Sequence, residues 1–541
     1  MSDTALQAPP IEPAARSSGG PNLDKGFNPL TAIIFFGALA AGFLYVAYSV
    51  YSDVETSGAP VTSYLPFLLL LVALLIALGF EFVNGFHDTA NAVATVIYTH
   101  SLPAEMAVLW SGMFNFLGVL TSTGAVAFGI VSLLPVELIL QVGSGAGFAM
   151  VFALLISAII WNLGTWWLGL PASSSHTLIG SIIGVGVANA LARGQDGTSG
   201  VDWSKATEIG WALLLSPLVG FVFSALLLLA LKFVVRNPAL YAEPQGQKAP
   251  PWWIRGILIL TCTGVSFAHG SNDGQKGMGL IMLILIGIVP TAYALNRTPH
   301  PSQAESFQAA SAAAAAVVEK QAAGYRVLGD PRPAVTAFVS QRKINEGTFV
   351  SLAALINTIS DQVKQYGSIA KIPAASVGNT RNDTYLASEA LRFLMKDKES
   401  SLSKQDVAVL TTYKNELDSA TRFIPTWVKV AVAIALGLGT MIGWKRIVVT
   451  VGEKIGKSHL TYAQGASAEL VAAATIAAAD MYGLPVSTTH VLSSGVAGTM
   501  AANGSGLQWA TVRNLIMAWV LTLPVAIMLS ASLYALFLNI I

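Results

Sequence analysis

Two short polar phrases each occur twice in this chain, in the same order and both times within strongly apolar surroundings. Gly85-Phe86-His87-Asp88-Thr89-Ala90-Asn91-Ala92 is echoed by Gly270-Ser271-Asn272-Asp273-Gly274-Gln275-Lys276. Leu170-Pro171-Ala172-Ser173-Ser174-Ser175-His176 is echoed by Leu484-Pro485-Val486-Ser487-Thr488-Thr489-His490. Acidic, amide, hydroxyl and imidazole groups are expensive to place in a hydrophobic slab. A chain that does so twice is building one polar site from two halves, the construction of a secondary transporter. The spacing supports a duplication. Asp88 and His176 are 88 residues apart and Asp273 and His490 are 217 apart, and the difference of 129 nearly equals the 128 residues of one compositionally foreign segment, 297–424.

That segment also holds nearly half of the charged residues in under a quarter of the length. Of the 541 residues 54% are hydrophobic and 11% charged, and the mean hydropathy is +0.62, far more apolar than a soluble protein requires. Residues 297–424 carry 15 of the 30 Lys and Arg and 12 of the 29 Asp and Glu, so the rest reads as a polytopic membrane protein nearly stripped of charge. The net charge of +1 gives no ground for a nucleic-acid partner, and the single cysteine, Cys262, excludes disulfides and thiolate metal clusters within the chain.

The expected fold is all-α: an inverted-repeat secondary transporter with broken or re-entrant helices and a helical extramembrane insert. Residues 1–28 are polar, rich in Pro, Ala, Ser and Gly, and lack the pattern of a cleavable signal peptide, so they read as a disordered tail. An extra membrane helix follows at 29–51, then a first repeat at 64–235, a basic linker at 236–255, the start of a second repeat at 252–296, the insert at 297–424 and the remainder of the second repeat at 425–541. Within the repeats, runs such as 105–134, 146–169, 207–235 and 464–482 are long enough to cross a bilayer. The passage 252–296 reads as one long broken helix or as two elements. The Gly-rich pieces after Pro171 and Pro485 read as shorter elements, since irregular backbone at membrane depth is tolerated only where it is buried or lines a cavity. Lys232, Arg236, Lys248 and Arg255, with Lys445, Arg446, Lys454 and Lys457, mark two cytoplasmic loops. On that count the insert faces outside.

Hydroxyls, an asparagine amide and the amides of broken helices are donors suited to an oxyanion, aided by helix N-termini. Asp88 and Asp273 are acceptors that would repel a bare anion. Both kinds of group make sense if the substrate brings protons, a metal ion or co-transported cations, as protonated or metal-paired phosphate does. The insert offers no metal-ligand cluster or nucleophile motif. Gly452-Glu453-Lys454-Ile455-Gly456-Lys457-Ser458 is one residue short of a nucleotide-binding loop and follows a membrane helix rather than a strand.

These four motifs resemble the signatures of the Pit-type inorganic phosphate transporters, especially the bacterial low-affinity members, over about 64–296 and 425–541. The resemblance implies an inverted-repeat symporter of the cell inner membrane that couples phosphate uptake to a cation gradient. Sodium serves in some branches, and protons with neutral metal-phosphate complexes in bacterial ones. It implies no enzyme activity, cofactor or resident metal, and it is compatible with a homodimer. Asp88, Asn91, Asp273 and the hydroxyls of Ser173, Ser174, Ser175, Ser487, Thr488 and Thr489 are its implied substrate and ion ligands.

One departure bears on the coupling ion. The repeat would place an asparagine where Lys276 stands. Its ammonium either neutralises Asp273, three residues away on the same helix face, or occupies a place where a cation would otherwise bind, which favours protons. Glu81, His87, His176, His490 and Glu469 are further candidates for ion coupling or gating, because imidazole titrates near physiological pH and an intramembrane carboxyl marks an ion pathway. Trp161, Trp166 and Trp167 read as interfacial anchors. A sodium-coupled phosphate or sulfate symporter is the alternative within this architecture, and a membrane-embedded hydrolase or sensor the alternative outside it.

Overall fold

The computed structural model describes residues 29–540, with Pro21 and Leu23, apart from 58–64, 89, 135, 141–143, 245, 247, 298–302, 323–328 and 398–399. Apart from Pro21 and Leu23, the tail expected at 1–28 lies outside the described residues. Among the described residues every regular element is helical, and the one strand-like pairing is an isolated bridge between Gly456 and Leu507. Seven helices are long and apolar enough to cross a membrane, or eight if the bent pair Lys404–Thr421 and Thr426–Thr440 forms one span.

Two expected runs differ in detail. The apolar stretch at 105–134 divides into Ala104–Thr121 and Ala125–Val131, because the chain turns at Gly124, whose φ of +89° is open to glycine at little cost. The passage 252–296 holds one unbroken 37-residue helix, Trp252–Ile288, followed by the short turn Pro290–Tyr293. At 1.5 Å per residue the long helix spans about 55 Å, enough to cross a bilayer with its headgroups. His269, Asp273 and Lys276 therefore lie near its middle, far from water at either end.

The ends of that helix define the two ends of the molecule. At its start Arg255 Nε donates to Ser101 O (2.7 Å). The basic linker reaches the 457–508 region at this end, where His459 N donates to Glu243 Oε1 (3.2 Å) and Asn503 Nδ2 to Tyr241 O (3.4 Å). At the opposite end Asp53 Oδ2 accepts from Tyr293 Oη (2.8 Å) and Trp427 Nε1 (2.9 Å). The helices of 303–421 pack at this second end.

The two hydroxyl motifs each open a buried helix, Ser174–Ala192 and Thr488–Asn503. Each packs on the last long helix of the other half, the first on Trp509–Leu538 and the second on Trp203–Val234. Side chains are excluded at these crossings. A Cβ on Gly184 would meet Ile527 O at 2.2 Å and one on Gly498 would meet Phe221 O at 2.1 Å, the close backbone approach that small residues allow between membrane helices. The aromatic anchors divide: Trp167 is exposed, whereas Trp161 and Trp166 donate inward to Thr522 Oγ1 (2.9 Å) and Gly443 O (2.8 Å).

The 303–421 region shares its apolar core with the membrane part. Phe307, Phe338, Leu355, Leu391 and Tyr413 are continuous with Leu133, Leu138 and Ile139. A charged clasp reinforces the join. Asp202 caps Trp203–Val234 by accepting from Lys205 N (3.1 Å), and the same carboxylate takes Arg342 and Arg392, each at 3.2 Å. Burial pushes the Asp202 carboxyl up, but the Arg342 guanidinium and the Lys205 N–H hold it below its ordinary value. A carboxylate whose folded-state value is the lower one contributes stability above its ordinary range and loses it as pH falls through the folded-state value. Asp202→Asn keeps a capping side chain but removes the charge. It should cost about 1–2 kcal/mol at pH 7, read as a lower unfolding temperature in detergent, and the gap to wild type should close as pH falls below about 4.

Candidate functional site

Helix Leu65–Asp88 ends with Asp88 at the centre of the molecule, and Ala90–Tyr98 carries Asn91 from the same place. From the facing side Trp252–Ile288 presents Asp273 and Lys276. The two hydroxyl motifs insert between them, and Ser174 is the junction. Its Oγ donates to Asp88 Oδ2 (2.6 Å), accepts from Lys276 Nζ (3.3 Å) and stands 3.3 Å from Asp273 Oδ2. A hydroxyl has one proton, so it cannot serve both carboxylates. The shorter distance assigns that proton to Asp88.

The remaining contacts fix this junction. Thr489 Oγ1 donates to Asp88 Oδ1 (2.8 Å) and accepts from Asn91 Nδ2 (3.2 Å), which also donates to Asp88 O (2.9 Å). His87 Nδ1 lies 2.9 Å from Asp88 Oδ1 and its Nε2 lies 3.1 Å from Thr165 Oγ1. Lys276 Nζ is 2.7 Å from Asp273 Oδ1, and His269 Nε2 is 3.4 Å from Asp273 Oδ2. Asn115 Oδ1 holds the other nitrogen of His269 at 2.7 Å. All of these side chains are buried, with Asp273 and Lys276 at 0% exposure, so the centre is closed from both ends.

The two motifs use their hydroxyls differently. Ser173 and Ser487 are helix N-caps, accepting from His176 N (3.2 Å) and His490 N (3.1 Å), because the first turn of a helix leaves N–H groups that a preceding hydroxyl can satisfy. Ser175 Oγ donates to Val486 O (2.6 Å). Asn272 binds the same extended strand, donating to Leu484 O (3.1 Å) and accepting from Val486 N (3.4 Å). The proline-broken backbone at 484–486 is thus satisfied jointly, by Ser175 of the first half and by Asn272 of the second. Thr488 Oγ1 is buried and has no hydrogen-bond partner among the described residues. Both helix N-termini are brought together here, which adds positive potential toward the centre.

The other candidates fall into three places. His176 and His490 face one another with ring centroids 4.7 Å apart, and His490 stacks on Trp519 at 4.2 Å. Glu81 is fully buried against Gly277, and neither of its carboxyl oxygens has a hydrogen-bond partner among the described residues. Glu469 sits apart from Asp88, held by Thr95 and by Thr261 Oγ1 at 2.5 Å. Reading the motifs alone did not find Asn115, Thr165 or Thr261. Each is a single polar side chain outside the doubled phrases, a signal too common in membrane helices to single out.

One atom each from Asp88, His269 and Asp273 lie within 4.8 Å of one another, a donor set able to contact a divalent ion. With histidines neutral the centre holds two carboxylates and one ammonium, so it repels a multiply charged bare anion and accepts one that arrives with positive charge.

A sequence profile of the phosphate transporter family matches residues 84–530. The chain is 43% identical over 484 residues to the low-affinity inorganic phosphate transporter PitA of Escherichia coli (strain K12), covering 86% of this chain and 96% of that one. It is 41% identical over 510 residues to PitB of the same organism, covering 88% and 97%. It is 30% identical over 470 residues to a probable low-affinity inorganic phosphate transporter of Bacillus subtilis (strain 168), covering 86% and 97%. A solved structure described as the sodium-dependent phosphate transporter is 19% identical, with a TM-score of 0.47 over 88% of this chain and 100% of that one.

The capping assignment separates hydroxyls that shape the site from those that face it. Ser173→Ala and Ser487→Ala should each cost about 1 kcal/mol of stability, and the glycine replacements only a few tenths. Thermal unfolding of the purified variants reads the difference. Equal losses for alanine and glycine would show that these hydroxyls are not acting as caps.

Proposed function

Because this chain belongs to the phosphate transporter family, we propose that it is a symporter that imports inorganic phosphate coupled to protons, the substrate arriving protonated or paired with a divalent metal ion. The observation that carries the reading is the position of Lys276. Its ammonium lies 2.7 Å from Asp273 Oδ1 and 3.3 Å from Ser174 Oγ, so a tethered positive charge stands at the junction of the two halves. A mobile sodium ion on Asp273 would have to displace it. Substrate positive charge and protons need not, because they can be carried by the phosphate itself and by other buried groups.

The residues then divide by role. Ser174, Thr488, Thr489 and Asn91 are the hydrogen-bonding groups toward phosphate oxygens, and Asp88 accepts from a protonated phosphate oxygen. Asp88, Asp273 and His269 are the contacts for a metal carried as part of the substrate. Glu81 is the group assigned to the coupling proton, because it is a fully buried carboxyl with both oxygens unpartnered and it abuts the residue next to Lys276. A fully buried carboxyl is costly as an anion, and a substrate-dependent change beside it is the means by which proton and phosphate movements are linked. Transport rather than catalysis is the role in the names of the relatives.

Reconstituted in sodium-free vesicles, the wild type should accumulate phosphate under an inward proton gradient and lose accumulation when a protonophore is added. A wild type inactive without sodium would refute proton coupling and return the chain to the sodium-coupled reading. Asp88→Asn should lower initial uptake about a hundredfold, since a buried acceptor lost from a charged network is worth roughly 3 kcal/mol. Glu81→Gln should keep phosphate–phosphate exchange while losing accumulation. Loss of both exchange and accumulation in a folded Glu81→Gln variant would move Glu81 from the proton path to the substrate site.

A further inference from the structure

The end of the molecule that carries the 303–421 helices contains a second polar cavity, of about 470 Å³. It is walled jointly by that region and the membrane part. Lys205 comes from the membrane part, and Arg392, Lys396 and Arg422 come from the other side, with Glu208 the one carboxylate among the lining residues. The arginines are held in place from behind. Arg392 is held by Asp202 (3.2 Å) and Glu389, and Arg422 by Glu389 (3.0 Å) and Asp418 (3.2 Å). Lys205 pairs with Glu208 at 3.0 Å, while Lys396 is exposed and forms no ion pair among the described residues. Glu208 is the one carboxylate that lines the cavity itself, and the others lie behind the arginines. Lys396 adds a cation without a carboxylate partner among the described residues, so the face turned to the cavity is positive and attracts anions.

Its floor lies directly over the central site. It is formed by Thr123, Ala125 and Gly129 with the turn Met481–Gly483, immediately before the second hydroxyl motif. These two segments touch: a Cβ on Gly129 would meet Gly483 O at 2.8 Å. Beneath them is a single polar layer. Asp480 accepts from Ser271 Oγ and Gln275 Nε2, each at 2.6 Å, and Gln275 Oε1 accepts from Val126 N at 3.0 Å. Gln275 is the neighbour of Lys276. One layer therefore separates the cationic cavity from the buried junction. The two basic loops gather at the opposite end of the molecule, which by the charge bias of membrane loops is the cytoplasmic one, so this cavity opens outward.

We infer that this cavity is an outer vestibule that collects the phosphate oxyanion before the floor opens, and that the inserted region exists in part to supply three of its four cations. The inference rests on the reading of the chain as a phosphate importer. A multiply charged anion must be drawn from dilute solution toward a centre that holds two carboxylates, and a cation-lined cleft raises its local concentration and its rate of arrival. Such attraction is screened by salt, because the Debye length is only about 8 Å at physiological ionic strength. An anionic lipid headgroup presents the same phosphate chemistry and could occupy the same cleft.

The test uses the whole chain reconstituted in neutral phosphatidylcholine vesicles and, separately, in vesicles containing phosphatidylglycerol. Lys205 and Lys396 are replaced by glutamine singly and together, leaving the clasped arginines intact. In neutral vesicles each single variant should raise KM for external phosphate about threefold and the pair about tenfold, at unchanged kcat, with magnitudes at the lower end of electrostatic focusing. Raising potassium chloride should increase the wild-type KM toward that of the double variant and hardly move the variant. An unchanged KM in the double variant overturns the inference, and so does a fall in kcat at constant KM, which would mark a structural role. A KM shift confined to phosphatidylglycerol vesicles assigns the cleft to a lipid headgroup and overturns it as well. A wild type that takes up no phosphate in the same assay overturns the importer reading instead, so the two failures are told apart.

Discussion

The structure depends on one hydroxyl. Ser174 stands between Asp88 of the first half and the Asp273–Lys276 pair of the second, and every one of these groups is removed from water. A buried ion pair is stable only when its geometry is good and its remaining donors and acceptors are satisfied. Neither half of the chain can meet that condition alone. Asp88 needs Thr489 from the second half, and the broken backbone at 484–486 needs Ser175 from the first. The swapped packing of the motif helices on the last helices of the opposite halves follows from this mutual need. So does the use of glycine at the crossings, where backbone must approach backbone closely enough to bring the motifs into contact.

Much of this was legible in the sequence because polar phrases that recur in the same order within apolar runs are rare and informative. The doubled motifs located Asp88, Asn91, Ser174, Thr489, Asp273 and Lys276, and these are the residues the fold gathers. What could not be read was which hydroxyl does what. Ser173 and Ser487 look the same as Ser174 and Thr489 in a linear motif, yet the first residue before each helix is claimed by capping. That distinction depends on where the helix begins, a boundary set by φ and ψ at one residue rather than by composition. The continuity of Trp252–Ile288 was hidden for a related reason. Gly270, Ser271, Asn272 and Gly274 are poor helix formers, and only burial on neighbouring helices, with Asn115 backbone against Gly270, overrides their local preference. Glu81 was legible as a carboxyl within an apolar run, but its place against Gly277 beside Lys276 was not.

The two halves are not equivalent where it matters. In the first, Asn91 lends an amide to Thr489 and to its own helix. At the matching place in the second, Lys276 lends a charge. A neutral amide leaves room for a visiting cation to complete the coordination of its carboxylate, whereas on the proposed reading the ammonium fills that role itself. The same duplication can therefore give a symmetric frame and an asymmetric electrostatic centre, with one of the two carboxylates already holding an ammonium.

That asymmetry also bears on how the centre is reached. A junction holding two carboxylates and one fixed ammonium offers little attraction to phosphate at a distance, because buried charges are compensated pair by pair. Long-range attraction has to be placed elsewhere, and only residues outside the apolar slab can carry uncompensated positive charge without a large desolvation cost. The repeats are almost stripped of charge, so a region rich in Lys and Arg has to be added to them. Its attachment by Asp202, which binds Arg342 and Arg392 at the mouth of a membrane helix, holds the region so that Arg392 and Lys396 share a cavity with the turn that leads to the second hydroxyl motif. On the proposed reading, separating attraction from selection in this way lets the buried site recognise phosphate by hydrogen bonds and protonation, while capture is governed by an exposed field that salt can tune.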